Sequence, residues 1–168
     1  MSPPGTRKVD VLLVCSSGGH LSQLLALTRA IGSSPYLWVT ENTSDSRSLL
    51  RDEPVVYAHS PAHRNLQNGI LRIASAWIRN CLLALSLVAR ARPEVVLTTG
   101  AAVAVPFAWV ARLTGARVVY VESLTRIHEP SLCCRLISPV ADRIYVQWPE
   151  LLAAVPKGRY VGSILGSR

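Results

Sequence analysis

The sequence predicts an α/β fold, a parallel sheet with helices on both faces. Three observations predict it. Short apolar runs rich in Val, Leu and Ile recur along the chain and alternate with segments of helical periodicity, the pattern of βαβ units. Two of these runs break into a small-residue turn that opens a helix. The chain has 168 residues, 49% hydrophobic and 17% charged, which suits one domain with a substantial core and excludes a disordered chain. Residues 1–168 are read as that single domain, with 1–8 as a flexible lead and 163–168 as a tail.

Val9–Val14 reads as a buried first strand. Ser16-Ser17-Gly18-Gly19 is a tight turn, and a helix begins at His20 or Leu21 with apolar residues at Leu21, Leu24, Leu25, Leu27 and Ile31. Unpaired N–H groups in a helix's first turn attract an anion, usually a phosphate. Gly18 and Gly19 let a ligand approach the backbone closely. His20 is the first side chain past the turn able to move a proton. The same turn is equally readable as an economical connection, since it matches neither the dinucleotide fingerprint nor a P-loop.

Tyr36–Thr40 is the second strand, followed by a polar loop, Glu41–Ser46, on the edge where such domains bind ligands. Val55–Ala58 is the third strand. His59 and His63 flank Pro61 with no third ligand near, so no metal site is expected. Asn65–Arg90 is the longest helical pattern. Its apolar surface is wider than a sheet requires, and arginines flank or interrupt it. Two readings stand, a core helix and a helix that also rests among lipid headgroups. The apolar run Cys81–Ala89 is too short to span a bilayer.

Pro93 ends that helix. Val95–Thr99 is the fourth strand, Gly100-Ala101-Ala102 a second small-residue turn, and Val103–Leu113 an apolar helix. This repeats the opening unit and faces the same crevice. Arg117–Val121 is the fifth strand and ends in Glu122-Ser123. Glu122 is placed for a substrate hydroxyl or general-base work, or as a cap or partner of Arg126. Ser131–Ser138 is a short helix, Arg143–Val146 a strand running into Gln147-Trp148-Pro149-Glu150, and Tyr160–Gly162 a last short strand.

Eighteen Lys and Arg against ten Asp and Glu give a net charge of +8, which favours anionic partners. No aromatic cluster suited to base stacking accompanies it, so nucleic acid is not expected. Cys15, Cys81, Cys133 and Cys134 have no metal-ligand spacing and read as reduced residues of a cytoplasmic protein. The polar Met1–Lys8 segment has no signal-peptide character.

Ser16–His20, Thr98-Thr99-Gly100-Ala101 with Val105-Pro106, Val121-Glu122-Ser123, Pro130-Ser131-Leu132 and Val146–Leu151 occur in an order that resembles bacterial capsule and exopolysaccharide glycosyltransferase subunits. Those are similar to the membrane-side subunit of the two-part UDP-N-acetylglucosamine transferase of N-glycan assembly. The resemblance covers Val9 to about Gly162. It implies a Rossmann-like domain equivalent to the N-terminal, acceptor-side half of a GT-B glycosyltransferase. It also implies a separate donor-binding glycosyltransferase subunit, a polyprenyl-diphosphate-linked saccharide as acceptor, and no cofactor or metal.

By the same resemblance His20 and Glu122 are the candidate catalytic residues. Ser17, Gly18, Gly19, Thr99, Gly100, Ala101, Ser123 and Arg126 are the candidates for holding the acceptor and its diphosphate. The eukaryotic subunit has an N-terminal anchor that this sequence does not show. The expectation is therefore peripheral attachment to the inner face of the cell membrane, through the arginines and the apolar helix within Leu66–Ala89. One alternative is a non-catalytic membrane scaffold that recruits and activates the transferase. Another is a nicotinamide-dependent oxidoreductase, with Glu41 as its ribose ligand.

Overall fold

The computed structural model describes residues 8–60 and 69–164. Seven strands form one sheet in the order β3-β2-β1-β4-β5-β6-β7, with every neighbouring pair parallel. They are β1 Val11–Cys15, β2 Tyr36–Glu41, β3 Val55–Ala58, β4 Val95–Gly100, β5 Arg117–Val121, β6 Arg143–Val146 and β7 Gly158–Tyr160. The helices are α1 Gly19–Leu27, α2 Ser44–Leu49, α3 Gly69–Ala91, α4 Ala104–Leu113 and α5 Leu132–Ile137. Strand order reverses between β1 and β4, and a ligand crevice opens beyond the strand ends at such a switch point.

Alternation along β1 sends its residues to two cores. Leu12 and Val14 join the larger one, with Ala84 and Val88 of α3, Phe107 and Ala111 of α4, and Ile137 of α5. Leu13 and Cys15 join a smaller one, with Leu21 and Leu24 of α1, Trp38 and Leu50. Helices therefore cover both faces, but unevenly. Beside α1 a groove of about 630 Å³ opens over Leu97, Val119, Val121 and Tyr145, and residues 161–164 form part of its wall.

Three boundaries differ from the sequence reading. The polar stretch after β2 contains α2, whose N-cap Thr43 forms a reciprocal capping box with Ser46. Serine stands where Glu or Gln usually announces that box. The last strand lies at Gly158–Tyr160, two residues early. Gly158 fits there because a Cβ would come within 2.9 Å of the Val155 carbonyl oxygen. The apolar part of α3 is also longer than the Cys81–Ala89 run, since Ile73–Ala91 is long and apolar enough to cross a membrane by length and composition. In the fold it packs on α4 and buries Ala76, Asn80, Ala84, Val88 and Ala91. The start of that helix pattern, with His63 and Arg64, lies outside the described residues, as do 1–7 of the lead and 165–168 of the tail.

Candidate functional site

The crevice is built where β1 meets β4. Val14 pairs with Thr98 but Cys15 pairs with Gly100, so the register shifts by one residue and Thr99 has no partner on β1. A bulge of this kind re-aims the residue it skips. Thr99 turns to His20 instead. The His20 Nδ1–H donates to the Thr99 carbonyl oxygen at 2.8 Å, and the Thr99 hydroxyl donates to the His20 carbonyl oxygen at 2.8 Å. A carbonyl only accepts, so Nδ1 carries the proton and the neutral ring keeps its lone pair on Nε2. Among the described residues no side chain or backbone group bonds that nitrogen. His20 is half-buried, in the first turn of α1.

The second turn is shaped by close packing. Gly100 has φ 103° and Ala101, unusually for a residue with a side chain, has φ 76°. A Cβ at Gly100 would lie 2.9 Å from the Tyr120 hydroxyl and 3.6 Å from the His20 ring, so the glycine lets these two side chains close on the turn. The Cys133 thiol donates to the Ala101 carbonyl at 3.2 Å and ties α5 to the same turn.

The first turn is partly occupied by the protein itself. The Gly18 N–H donates to Asp45 Oδ2 at 2.8 Å, and the Ser17 hydroxyl lies 3.4 Å from Glu41 Oε2. Hydrogen bonds from the Thr43 hydroxyl and the Gly18 N–H hold the Asp45 carboxyl below the ordinary carboxylate range. The Gly18 N–H is thus already paired within the protein.

Glu122 is fully buried and turned inward. Its Oε1 accepts from the Ser123 N–H at 2.7 Å and the Tyr120 hydroxyl at 3.2 Å. Its Oε2 accepts from the N–H and hydroxyl of Ser131, both at 2.9 Å. The ion pairs among the described residues are Lys8–Glu94 and Arg112–Asp142. The Arg126 pairing is thus replaced by bonds to Ser131, the residue that caps α5. Arg126 is exposed on the loop after β5, and the Ser123 hydroxyl lies 3.0 Å from that of Thr125. Burial raises the thiols of Cys15, Cys133 and Cys134 to about 12 and raises Tyr120 as well, which keeps all four neutral.

Of the sequence-predicted residues, the structure brings Ser17, Gly18, Gly19, His20, Thr99, Gly100 and Ala101 to one switch point. Glu122 and Ser123 stand at the next strand end, and Arg126 is farther out on the loop. Sequence reasoning missed Asp45, Gln23 and the structural role of Tyr120. Asp45 sits in the unread helix α2, and Tyr120 reads as an ordinary strand residue. Gln147 was visible only as part of a motif.

The fold, a parallel sheet flanked by helices, is shared with solved nucleotide-sugar enzymes. MurG of Acinetobacter baumannii superposes with a TM-score of 0.71 at 20% identity, over 94% of this chain and 46% of that one. A UDP-N-acetylglucosamine 2-epimerase from Rickettsia bellii gives 0.66 at 13% identity, over 95% and 46%. This chain thus spans about half the length of these solved proteins. It belongs to the family described as oligosaccharide biosynthesis protein Alg14 like, whose sequence pattern matches residues 11–164. Among its relatives, the human UDP-N-acetylglucosamine transferase subunit ALG14 is 27% identical over 94% of this chain and 83% of its own length. The subunit from Eremothecium gossypii is 30% identical over 92% and 80%.

Proposed function

We propose that this chain is the acceptor-binding subunit of a two-chain GT-B glycosyltransferase. In this reading it presents a polyprenyl-diphosphate-linked saccharide, at the inner face of the cell membrane, to a nucleotide sugar held by a separate donor-binding chain. A role in cell-surface polysaccharide synthesis is the finest part of the proposal. The observation that carries it is the His20 arrangement: a tautomer set by Thr99, a free Nε2 lone pair, and the partly occupied start of α1 directly beside it.

In the proposed reaction the Nε2 lone pair takes the proton of an acceptor hydroxyl. The hydroxyl oxygen forms a bond to the anomeric carbon of the donor sugar. The nucleotide diphosphate leaves with the electron pair of the broken glycosidic bond. The acceptor's diphosphate rests against the N–H groups of Gly19 and His20, where the helix dipole favours negative charge. Gly100 and Ala101 form the opposite wall. Glu122 meets only protein donors, so its part is to hold the β5–α5 turn in shape. The exposed apolar residues of α3 and its neighbours face the lipid, and the donor-binding chain packs into the groove beside α1.

The test is a transfer assay on vesicles that contain polyprenyl-diphosphate-linked N-acetylglucosamine, with UDP-N-acetylglucosamine among the donors. Transfer is expected only with both chains present. His20→Ala is expected to lower turnover by roughly 10²- to 10⁴-fold, the usual contribution of a general base. Wild-type turnover by that variant would remove His20 from the mechanism. Transfer by the donor-binding chain alone would overturn the reading.

A further inference from the structure

Gln147 directly follows β6 with only 2% of its surface exposed, and every polar position on its amide is used. Its Nε2 donates to Gln23 Oε1 at 2.9 Å and to the Glu122 carbonyl oxygen at 3.0 Å. Its Oε1 accepts from the Ile164 N–H at 3.0 Å and from the Ser163 hydroxyl at 3.4 Å. The two acceptors on one side and the backbone N–H on the other fix which way the amide faces. Gln23 continues the chain of bonds. Its Oε1 also accepts from the Leu124 N–H at 3.0 Å, and its Nε2 donates to the Gly19 carbonyl at 3.2 Å.

One end of this network therefore holds the first turn of α1, where His20 sits, against the loop after β5. The other end holds residues 163 and 164. Those two residues, with Gln147 itself, line the groove beside α1. Groove and crevice meet at the end of β5, where Val121 borders the groove and Glu122 follows it, and Gln147 lines the groove while bonding to Gln23 of α1 and to the Glu122 carbonyl.

We infer that Gln147 is a positioning residue that couples the groove to the crevice. A chain seated in the groove fixes residues 163–164, and through Gln147 and Gln23 it fixes the α1 turn that receives the acceptor. This rests on the reading of the groove as the partner's seat and of the crevice as the acceptor site. Coupling of this kind is reciprocal: the partner tightens acceptor binding by the same factor as the acceptor tightens partner binding. Glutamine is required because a glutamate would face the Gln23 and Glu122 oxygens with a carboxylate.

The experiment measures, by calorimetry, the binding of a short-chain polyprenyl-diphosphate-linked N-acetylglucosamine to this chain, with and without the donor-binding chain. The readout is the ratio of the two affinities. In the wild type the partner is expected to tighten acceptor binding about tenfold, within the usual range for coupled sites. Gln147→Met and Gln23→Met are each expected to bring that ratio below about twofold. Gln23 is half-buried, so its variant serves if the Gln147 variant does not fold. The ratio remaining at its wild-type value in the folded variants would overturn the inference. So would a wild-type chain that binds both ligands with a ratio of one. A wild-type chain that binds neither ligand would instead defeat the functional reading, and this inference with it.

Discussion

His20 and Glu122 both stand at strand ends around one crevice, and they differ in what their atoms have left to offer. The His20 ring spends Nδ1 on Thr99 and keeps Nε2. Glu122 spends both oxygens on four donors. Two of those donors are backbone N–H groups, one on each oxygen, and neither can turn away. In Glu122→Gln the amide NH₂ must face one of them whichever way it is placed. The variant is expected to lose about 2–3 kcal/mol of stability, the cost of a buried donor left unpaired. Urea unfolding measures it, and an unchanged midpoint would mean that the turn has another way to relax. That His20 stands at this crevice was legible because a histidine directly after a strand and glycine turn has few other placements. The closure of Glu122 was not. Its partner Ser131 is nine residues away, and whether a carboxylate turns inward or outward depends on that fold-level contact.

Among the elements, α3 is the one whose surface the fold does not explain. Leu71, Ile78, Leu82 and Leu85 are 83%, 62%, 61% and 52% exposed, and their spacing places them on one face of the helix. Trp109 and Leu113 of α4 and Leu132 and Leu136 of α5 extend the apolar surface, and the Trp109 Nε1–H reaches the Leu136 carbonyl at 3.1 Å. Arg79, Arg90 and Arg135 are exposed on the same helices. An apolar stripe with cationic neighbours suits an anionic lipid surface. Ile78→Asp combined with Leu82→Asp is therefore expected to weaken binding to phosphatidylglycerol vesicles by at least about tenfold, because each side chain contributes on the order of 1.5–3 kcal/mol when buried. The melting temperature should hold, since both positions are exposed. Equal vesicle binding by the double variant would place the lipid contact elsewhere. The width of this apolar surface was visible in the sequence. Its orientation was not, because a helix apolar on most sides reads alike whether the broad face meets sheet or lipid. Helix α2 was missed for a smaller reason, the serine in its capping box.

At the scale of the whole molecule, a parallel sheet needs both faces covered, and among the described residues one face is covered incompletely. Helices α3, α4 and α5 cover one side of the sheet. On the other, α1 packs against β1 and β4, while Val119, Val121 and Tyr145 border the groove. The strand order was read only from the structure, whereas the strands and the two turns that meet at one crevice were legible because each strand–turn–helix unit announces itself locally. The open face was not, since it is defined by what does not pack there. Val161 lines this groove and is 77% exposed, an apolar side chain that the described residues leave largely uncovered. Val161→Asp should leave the fold intact, because exposed substitutions usually change stability by no more than about 0.5 kcal/mol. In the complex the same change would bury a carboxylate without a partner. That costs on the order of 2–3 kcal/mol even with partial relaxation, or roughly 30- to 150-fold in the dissociation constant of the two chains. Sedimentation of the mixed chains reads that constant directly. A folded Val161→Asp chain that pairs as tightly as the wild type would move the partner off this groove, and the bare strands would then need a different explanation.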